Sequence, residues 1–535
     1  MAKFHSANWR FLLSRLNEIA ENGSFVQWDL LRRRIFAFFA VFELEILLFL
    51  SIRVKNLLEW CGSQYKNLLE SCKFDSFYRL EWCKIVMKRK IYNELLEWKL
   101  KRKGKTAIMI DGARRIGKSY IAEEFAKNEY KSYVLVDFNH ADKRLIEIFD
   151  NYLHDLDMFF IQLSTYYGVK LYERDSLIIF DEVQLYPRAR AAIKYLVADG
   201  KYDYIETGSL VSINKNVKDI VIPSEEHRIP MYPMDFEEFL WALGDETTMP
   251  FIKYCFERKM PLGPLHRKTI DLFRQYMIVG GMPQAVLTFA ETKDFEETDT
   301  VKRDILALYR ADIEKYAAGY ESKVKSIFDW IPAELQRHEK RFKLADISGT
   351  AKYRNYESSF FWLADAKIVN ICYAATEPTI GLKMRMSNLA LKCYMADTGL
   401  LISHTFDEKT IAAEKLYSKL LLDKLEINKG MLVENIVAQM LCAAEHKLYF
   451  YSSYSKTDAS DRMEIDFLIQ KPNLTNRHNI SPIEVKSTTK YTLASLEKFS
   501  KKYAEQTSAP IVLHTSDLEE KKGILYFPLY MTPLL

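Results

Sequence analysis

Four residues, Gly112, Gly117, Lys118 and Ser119, are spaced as G-x-x-x-x-G-K-[ST] in "TAIMIDGARRIGKSYIAEEF". Each type has a chemical reason to be there. Glycines let a backbone turn tightly and bring its N–H groups close to phosphate oxygens. A helix that starts near Lys118 points free N–H groups and the positive end of its dipole at the same anion. Lys118 would add a point charge on β- and γ-phosphates, and the Ser119 hydroxyl would face Mg2+. ATP would rest on Gly112, Ala113, Arg114, Arg115, Ile116, Gly117, Lys118, Ser119 and Tyr120. A second part belongs with such a loop. "SLIIFDEVQ" supplies it, with Asp181 and Glu182 at the end of an apolar run. Asp181 is expected to hold Mg2+, and Glu182 to orient and deprotonate the attacking water. Thr207, in "YIETGSL", ends another apolar run and could reach between the γ-phosphate and that water.

A second set of chemical residues lies near the other end of the chain. Asp466 falls in "MEID", Glu484 and Lys486 in "IEVK", and Glu434 in the helix-like stretch before them. Residues i and i+2 of a strand share a face, so Glu484 and Lys486 project together, with Asp466 on the neighbouring strand. The set resembles the PD-(D/E)xK nuclease core. That resemblance implies Mg2+ on Asp466 and Glu484, a metal-activated water, Glu434 in the site, and Lys486 helping to deprotonate the nucleophile. Alone, Glu-x-Lys on a strand is also what a solvent-facing ion pair looks like.

These residues need elements to carry them. From Thr106 to about Gly208 apolar strands ("TAIMID", "SYVLVDF", "SLIIFDE", "YDYIETG") alternate with helical stretches. That rhythm predicts an α/β fold with a parallel sheet. Residues 235–325 read as helical. In 326–425, "SIFDWIPAELQ", "KLADISGT" and "RNYESSFFWLADAKIV" read as three helices before the strand "NICYAA", the order of a winged helix. Lys352, Arg354 and Asn355 would then meet a nucleic-acid backbone. "FFW" at Phe360 to Trp362 reads as core. Residues 426–535, with a helix and the strands "KLYFYSS", "MEIDFLIQ" and "SPIEVKS", read as a separate α/β unit.

The whole chain sets bounds. Its 535 residues are too many for one ordinary core. A net charge of +4 gives no bulk argument for nucleic acid, so any DNA contact must be local. Seven scattered cysteines without a CxxC pair point to a reducing cytoplasm. Ile35–Leu50 is the one membrane candidate, but it is short and carries Glu43 and Glu45; a buried or amphipathic helix is expected, and membrane contact is not. Residues 1–86 stand apart. "VKNLLEWCGSQ", "YKNLLESCKFD" and "SFYRLEWCKIV" repeat every eleven residues, with Cys61, Cys72 and Cys83 in equivalent places, a period that keeps one helix face in line. We expect this extension to be dispensable, with the working protein opening near Met87.

The stretches "GARRIGKS", "IIFDEVQ", "ETGSL", "HRIPMYPMDFEEFL", "VGGMPQAV", "YRADIEKY", "CYMADTGL", "KGMLVENIVAQML", "MEIDFLI" and "PIEVKS" follow in order over nearly all of residues 88–535. Together they resemble the prokaryotic AAA-type P-loop ATPases whose C-terminal domain of unknown function is related to PD-(D/E)xK nucleases. The resemblance implies a P-loop ATPase domain at 87–234, then the helical and winged-helix segments, then a restriction-endonuclease-like α/β domain. The expected activity is Mg2+-dependent ATP hydrolysis coupled to action on DNA, with assembly into a homo-oligomer left open. The alternative is an ATP-dependent switch whose C-terminal domain grips nucleic acid or a partner without cutting.

Overall fold

The apolar runs around the glycine loop form a five-stranded sheet, all of it parallel. Its strands are β1 (Ala107–Gly112), β2 (Ser132–Asp137), β3 (Ser176–Asp181), β4 (Asp203–Gly208) and β5 (Glu226–Met231), in the order β2-β3-β4-β1-β5. In the computed structural model, residues 87–535 are described apart from 210–221, 318, 338–341, 345–352, 408–428, 454–461, 472–474, 476 and 489. The eleven-residue repeats, Ile35–Leu50, Lys352 and most of "KLADISGT" lie outside the described residues.

A sheet covered on both faces needs strands that are apolar on both sides, and these are. Met109, Ile178, Phe180 and Tyr204 pack into one cluster with α3 (Lys143–Tyr152), α4 (Leu156–Tyr167) and α5 (Pro187–Asp199). Ile108, Ile110, Leu177, Ile179 and Ile205 face the other way. They meet α1 (Ile91–Arg102), α2 (Lys118–Glu129) and the rest of the unit. α6 (Phe236–Ala242), α7 (Thr248–Glu257), α8 (Leu265–Val279), α9 (Pro283–Thr292), α10 (Phe295–Tyr316) and α11 (Glu321–Gln336) follow. The "GGMP" turn between α8 and α9 is tied to "DTG": the Gly281 N–H donates to the Asp397 carboxylate at 2.5 Å, and Asp397 also caps α13 (Thr398–Thr405) through Leu400 N–H at 2.8 Å.

The region read as a winged helix folds differently from that expectation. α12 (Glu357–Asp365) is shorter than the predicted third helix, and Arg354 and Asn355 lie in a single 3-10 turn before it. Phe360 and Trp362 are core, whereas Phe361 is exposed. β6 (Val369–Ala375) and β7 (Met386–Met395) are not a free-standing wing. They belong to an eight-stranded sheet ordered β12-β13-β11-β10-β9-β8-β6-β7, with β7 at its edge and β6 between β7 and β8. The other strands are β8 (Tyr449–Ser453), β9 (Met463–Gln470), β10 (Ile480–Val485), β11 (Ile511–His514), β12 (Glu519–Lys521) and β13 (Ile524–Pro528). α14 (Lys429–Ala443) crosses β6, β7 and β10, and α15 (Ala494–Lys502) packs on the face opposite.

The reason the two segments share a sheet is polar as well as apolar. Asn435 of α14 accepts from Met395 N–H at 2.8 Å and donates to Met395 O at 3.1 Å. Gln439 accepts from Thr398 N–H at 2.8 Å and donates to the Tyr276 hydroxyl at 3.1 Å. Buried amides left unpaired would each cost ~1–3 kcal/mol, so α14 is locked to β7 and α13. A line at 425/426 therefore runs through one sheet and one core. A single apolar cluster extends from Met87 to Met531.

Candidate functional site: the glycine loop and the carboxylate cluster

Strand order decides what the loop can meet. β4 lies between β1 and β3, so the carboxyl ends of these strands bring Gly112, Thr207 and Asp181 side by side. Gly112 is there for space: a Cβ would stand 2.5 Å from Met231 O. Gly117 takes φ 88° ahead of α2, a conformation that favours glycine. Arg115 also has positive φ, 69°. The loop thus curls around the point where α2 begins.

Lys118 is buried, and its ammonium donates back to Gly112 O at 3.0 Å and Ala113 O at 2.9 Å. Burial pushes its pKa down, against the pull of Glu182, Asp111 and Asp181. Its hydrogen-bond partners are main-chain carbonyls rather than a carboxylate, which suits a cation meant for an anion. Ser119 donates to Asp181 Oδ1 at 2.7 Å, and Thr207, fully buried, bonds the same oxygen. A hydroxyl and a carboxylate converging from two elements form a donor pair that fits Mg2+. Glu182 takes φ 53° just past β3 and accepts from the Gln184 side chain. Tyr120, on the first turn of α2, is exposed. Arg228 is turned away to Glu226 at 2.8 Å, where it shares the carboxylate with Arg190.

Sequence reading missed two residues that hold the loop. Arg89 precedes α1 and is buried. It donates to Ile116 O at 2.8 Å, to Tyr232 O at 2.6 Å and to Glu238 Oε1 at 3.1 Å, so it ties the loop to the start of α6. Asp312, in the quoted "YRADIEKY" on α10, accepts from Arg114 at 2.7 Å, while Tyr309 OH donates to Arg114 O at 3.1 Å. Burial raises the Asp312 carboxyl, opposed by Arg114. A loose ion pair also joins Lys367 to Asp111 at 3.7 Å.

In the second sheet, Glu434, Asp466, Glu484 and Lys486 do come together, but with company. Lys486 bonds Glu484, whose carboxyl is pushed up by burial and pulled down by Lys486. Asp466 Oδ2 accepts Val485 N–H at 2.9 Å, and Glu434 Oε2 accepts the Tyr394 hydroxyl at 3.1 Å. Lys392 of β7 reaches over the Phe450 ring into the same cluster. Its ammonium is 2.8 Å from Glu464, 3.8 Å from Asp466 and 4.0 Å from Glu434. Neither Lys392 nor Glu464 was anticipated. Alternation could have found them, because Glu464 shares a face with Asp466, and Lys392 with Tyr394. Among the described residues, no group of three or more His, Cys, Asp or Glu is arranged to hold a metal. The expected Mg2+ on Asp466 and Glu484 thus meets a cluster already holding an ammonium.

The fold and loop define the class: residues 104–240 form an AAA-type P-loop ATPase domain. This span matches the AAA domain family. Two further matches follow, both described as domains of unknown function: DUF8612 over residues 270–410 and DUF4143 over residues 429–531. No curated protein matches the chain. Solved structures similar to it include the Thermotoga maritima RuvB Holliday junction branch migration motor, at 10% identity over 53% of this chain and 89% of that one, TM-score 0.25. AMPPCP-bound DnaA from Aquifex aeolicus follows at 13% identity, 63% and 93% coverage, TM-score 0.23. Drosophila ORC bound to DNA matches at 12%, 60% and 95%, TM-score 0.24. Among the described residues no helix is long and apolar enough to cross a membrane.

Proposed function

We propose that the protein binds and hydrolyses Mg-ATP at Gly112–Ser119 and uses the cycle to act on DNA through a nuclease-like C-terminal unit. The observation that carries the ATPase part is the convergence of Lys118, Ser119, Asp181 and Thr207 at the ends of three adjacent parallel strands. In this reading Lys118 turns from the loop carbonyls to the β- and γ-phosphates. Ser119 and Asp181 hold Mg2+, which when bound neutralises phosphate charge. Glu182 takes the proton of the attacking water, and Thr207 keeps that water in line.

The nuclease-like part is supported by chain order. α14, β8, β9, β10, α15 and β11 run helix, three antiparallel strands, helix, parallel strand, with Asp466, Glu484 and Lys486 gathered on them. The cytoplasm is the compartment this reading implies, and homo-oligomers are compatible with it. A second reading is favoured by Lys392, whose ammonium stands among the carboxylates: an ATP-dependent switch whose C-terminal unit grips nucleic acid or a partner without cleavage.

ATP turnover, measured with and without single-stranded, duplex and branched DNA, tests the proposal. Lys118→Ala should bind ATP at least tenfold more weakly, and Glu182→Gln should bind it and not turn over. Tight binding by folded Lys118→Ala contradicts the assignment. Metal-dependent DNA cleavage lost in Lys486→Ala supports the nuclease; no cleavage under any condition supports the switch.

A further inference from the structure

We propose that the Lys392 ammonium is the resident cation of the carboxylate cluster under α14, and that it keeps divalent metal out of that cluster. The inference is independent of ATP hydrolysis and rests on the second reading, in which the C-terminal unit grips without cleavage; Lys392 reaches the cluster from β7.

The geometry is that of a filled site. Lys392 is 1% exposed, and its Nζ lies within 4.0 Å of Glu464, Asp466 and Glu434. A buried ammonium is tolerated when it is paired on several sides. These groups come from every element around it: Glu434 from α14, Glu464 and Asp466 from β9, the Phe450 ring from β8, and Cys372 opposite it on β6. Burial opposes the charge on Lys392, but Glu434, Glu464 and Asp466 outweigh it and hold its pKa above the ordinary lysine value.

A divalent ion needs carboxylate oxygens at about 2.0–2.6 Å. The oxygens it would use are engaged: Asp466 Oδ2 by Val485 N–H, Glu434 Oε2 by Tyr394, Glu484 by Lys486. A metal seated between Asp466 and Glu434 would face the ammonium within about 4 Å, and like charges in a poorly solvated site repel strongly. The Lys392 side chain is 1% exposed, so the ammonium has no open path to solvent.

Mn2+ titration of the full-length, nucleotide-free protein, with free Mn2+ read by electron paramagnetic resonance, provides the test. Wild type and Asp466→Asn should give superimposable isotherms. Lys392→Met should bind one additional Mn2+ per chain, at least tenfold more tightly than any site in wild type, and Lys392→Met/Asp466→Asn should lose it. If wild type loses one equivalent of Mn2+ on Asp466→Asn, the proposal is overturned. A folded Lys392→Met that gains none overturns it as well. The comparison of wild type with Asp466→Asn decides the matter even if Lys392→Met does not fold. ATP turnover is a separate readout, so failure here leaves the loop assignment standing.

Discussion

Arg89→Ala removes the only side chain, among the described residues, that bonds Ile116 O, Tyr232 O and Glu238 together. Both charges of the Arg89–Glu238 pair are buried, with side chains 5% and 6% exposed. Breaking such a pair by truncating one partner costs about 3–5 kcal/mol, because the other charge stays buried. Glu238 keeps the Lys90 N–H at 2.6 Å and the Asp235 N–H at 3.1 Å, which argues for the lower end. In a unit of this size, a loss of about 3 kcal/mol lowers Tm by roughly 3 °C. Part of the effect falls on the loop. Ile116 O loses a charged donor worth ~1.5 kcal/mol or more, and a loop free to wander binds nucleotide more weakly by about tenfold. Thermal unfolding and titration with a fluorescent ATP analogue would measure both. Arg89→Lys should recover the Glu238 pair but not the three-way fork, giving intermediate affinity. If folded Arg89→Ala keeps both Tm and ATP affinity, the loop is not held from residue 89 and the argument fails.

Other perturbations follow from the same geometry. Removing residues 1–86 keeps Arg89 and should leave ATP binding unchanged, whereas starting the chain at Ile91 should weaken it about tenfold; loss of binding by a soluble, folded chain starting at Met87 would count against the extension being dispensable. Asp312→Asn frees Arg114 and removes a negative charge beside the phosphate loop, so ATP should bind roughly threefold more tightly at low salt, with the gain fading at high salt; unchanged affinity at low salt would refute a latch. Lys302 on α10 is fully buried and donates to Ile278 O at 2.8 Å, and burial takes its pKa down to about 8 despite Asp299 and Asp397. Between pH 8 and 10.5 the unfolded chain therefore holds a proton on this lysine that the folded one has released. Stability relative to Lys302→Met should rise across that window by up to about 3 kcal/mol, and parallel pH profiles for the two proteins would refute the assignment.

The phosphate loop was legible in the amino-acid order because its chemistry is local. Gly112 to Ser119 occupy consecutive positions between an apolar strand and a helix, and steric freedom at glycine, the helix end and the lysine charge all act within that stretch. Asp181 and Thr207 were legible one step further out, since each ends an apolar run and parallel strands end on one side. Period-two alternation likewise put Glu484 beside Lys486. What the linear order left open was pairing between distant elements. In chain order "NICYAA" reads as the strand that follows three helices, the order of a winged helix. The pairing of β6 with β8, together with the bonds of Asn435 and Gln439 on α14 to Met395 and Thr398, decides for the sheet. Arg89 and Asp312 carry no periodic signature, and alternation gives Lys392 a face but no partner; each gains its role from a group between 27 and 198 residues away. Burial made those roles: in a core with little water, a charge must find whichever opposite charge the fold brings within reach, and chain order does not say which that is.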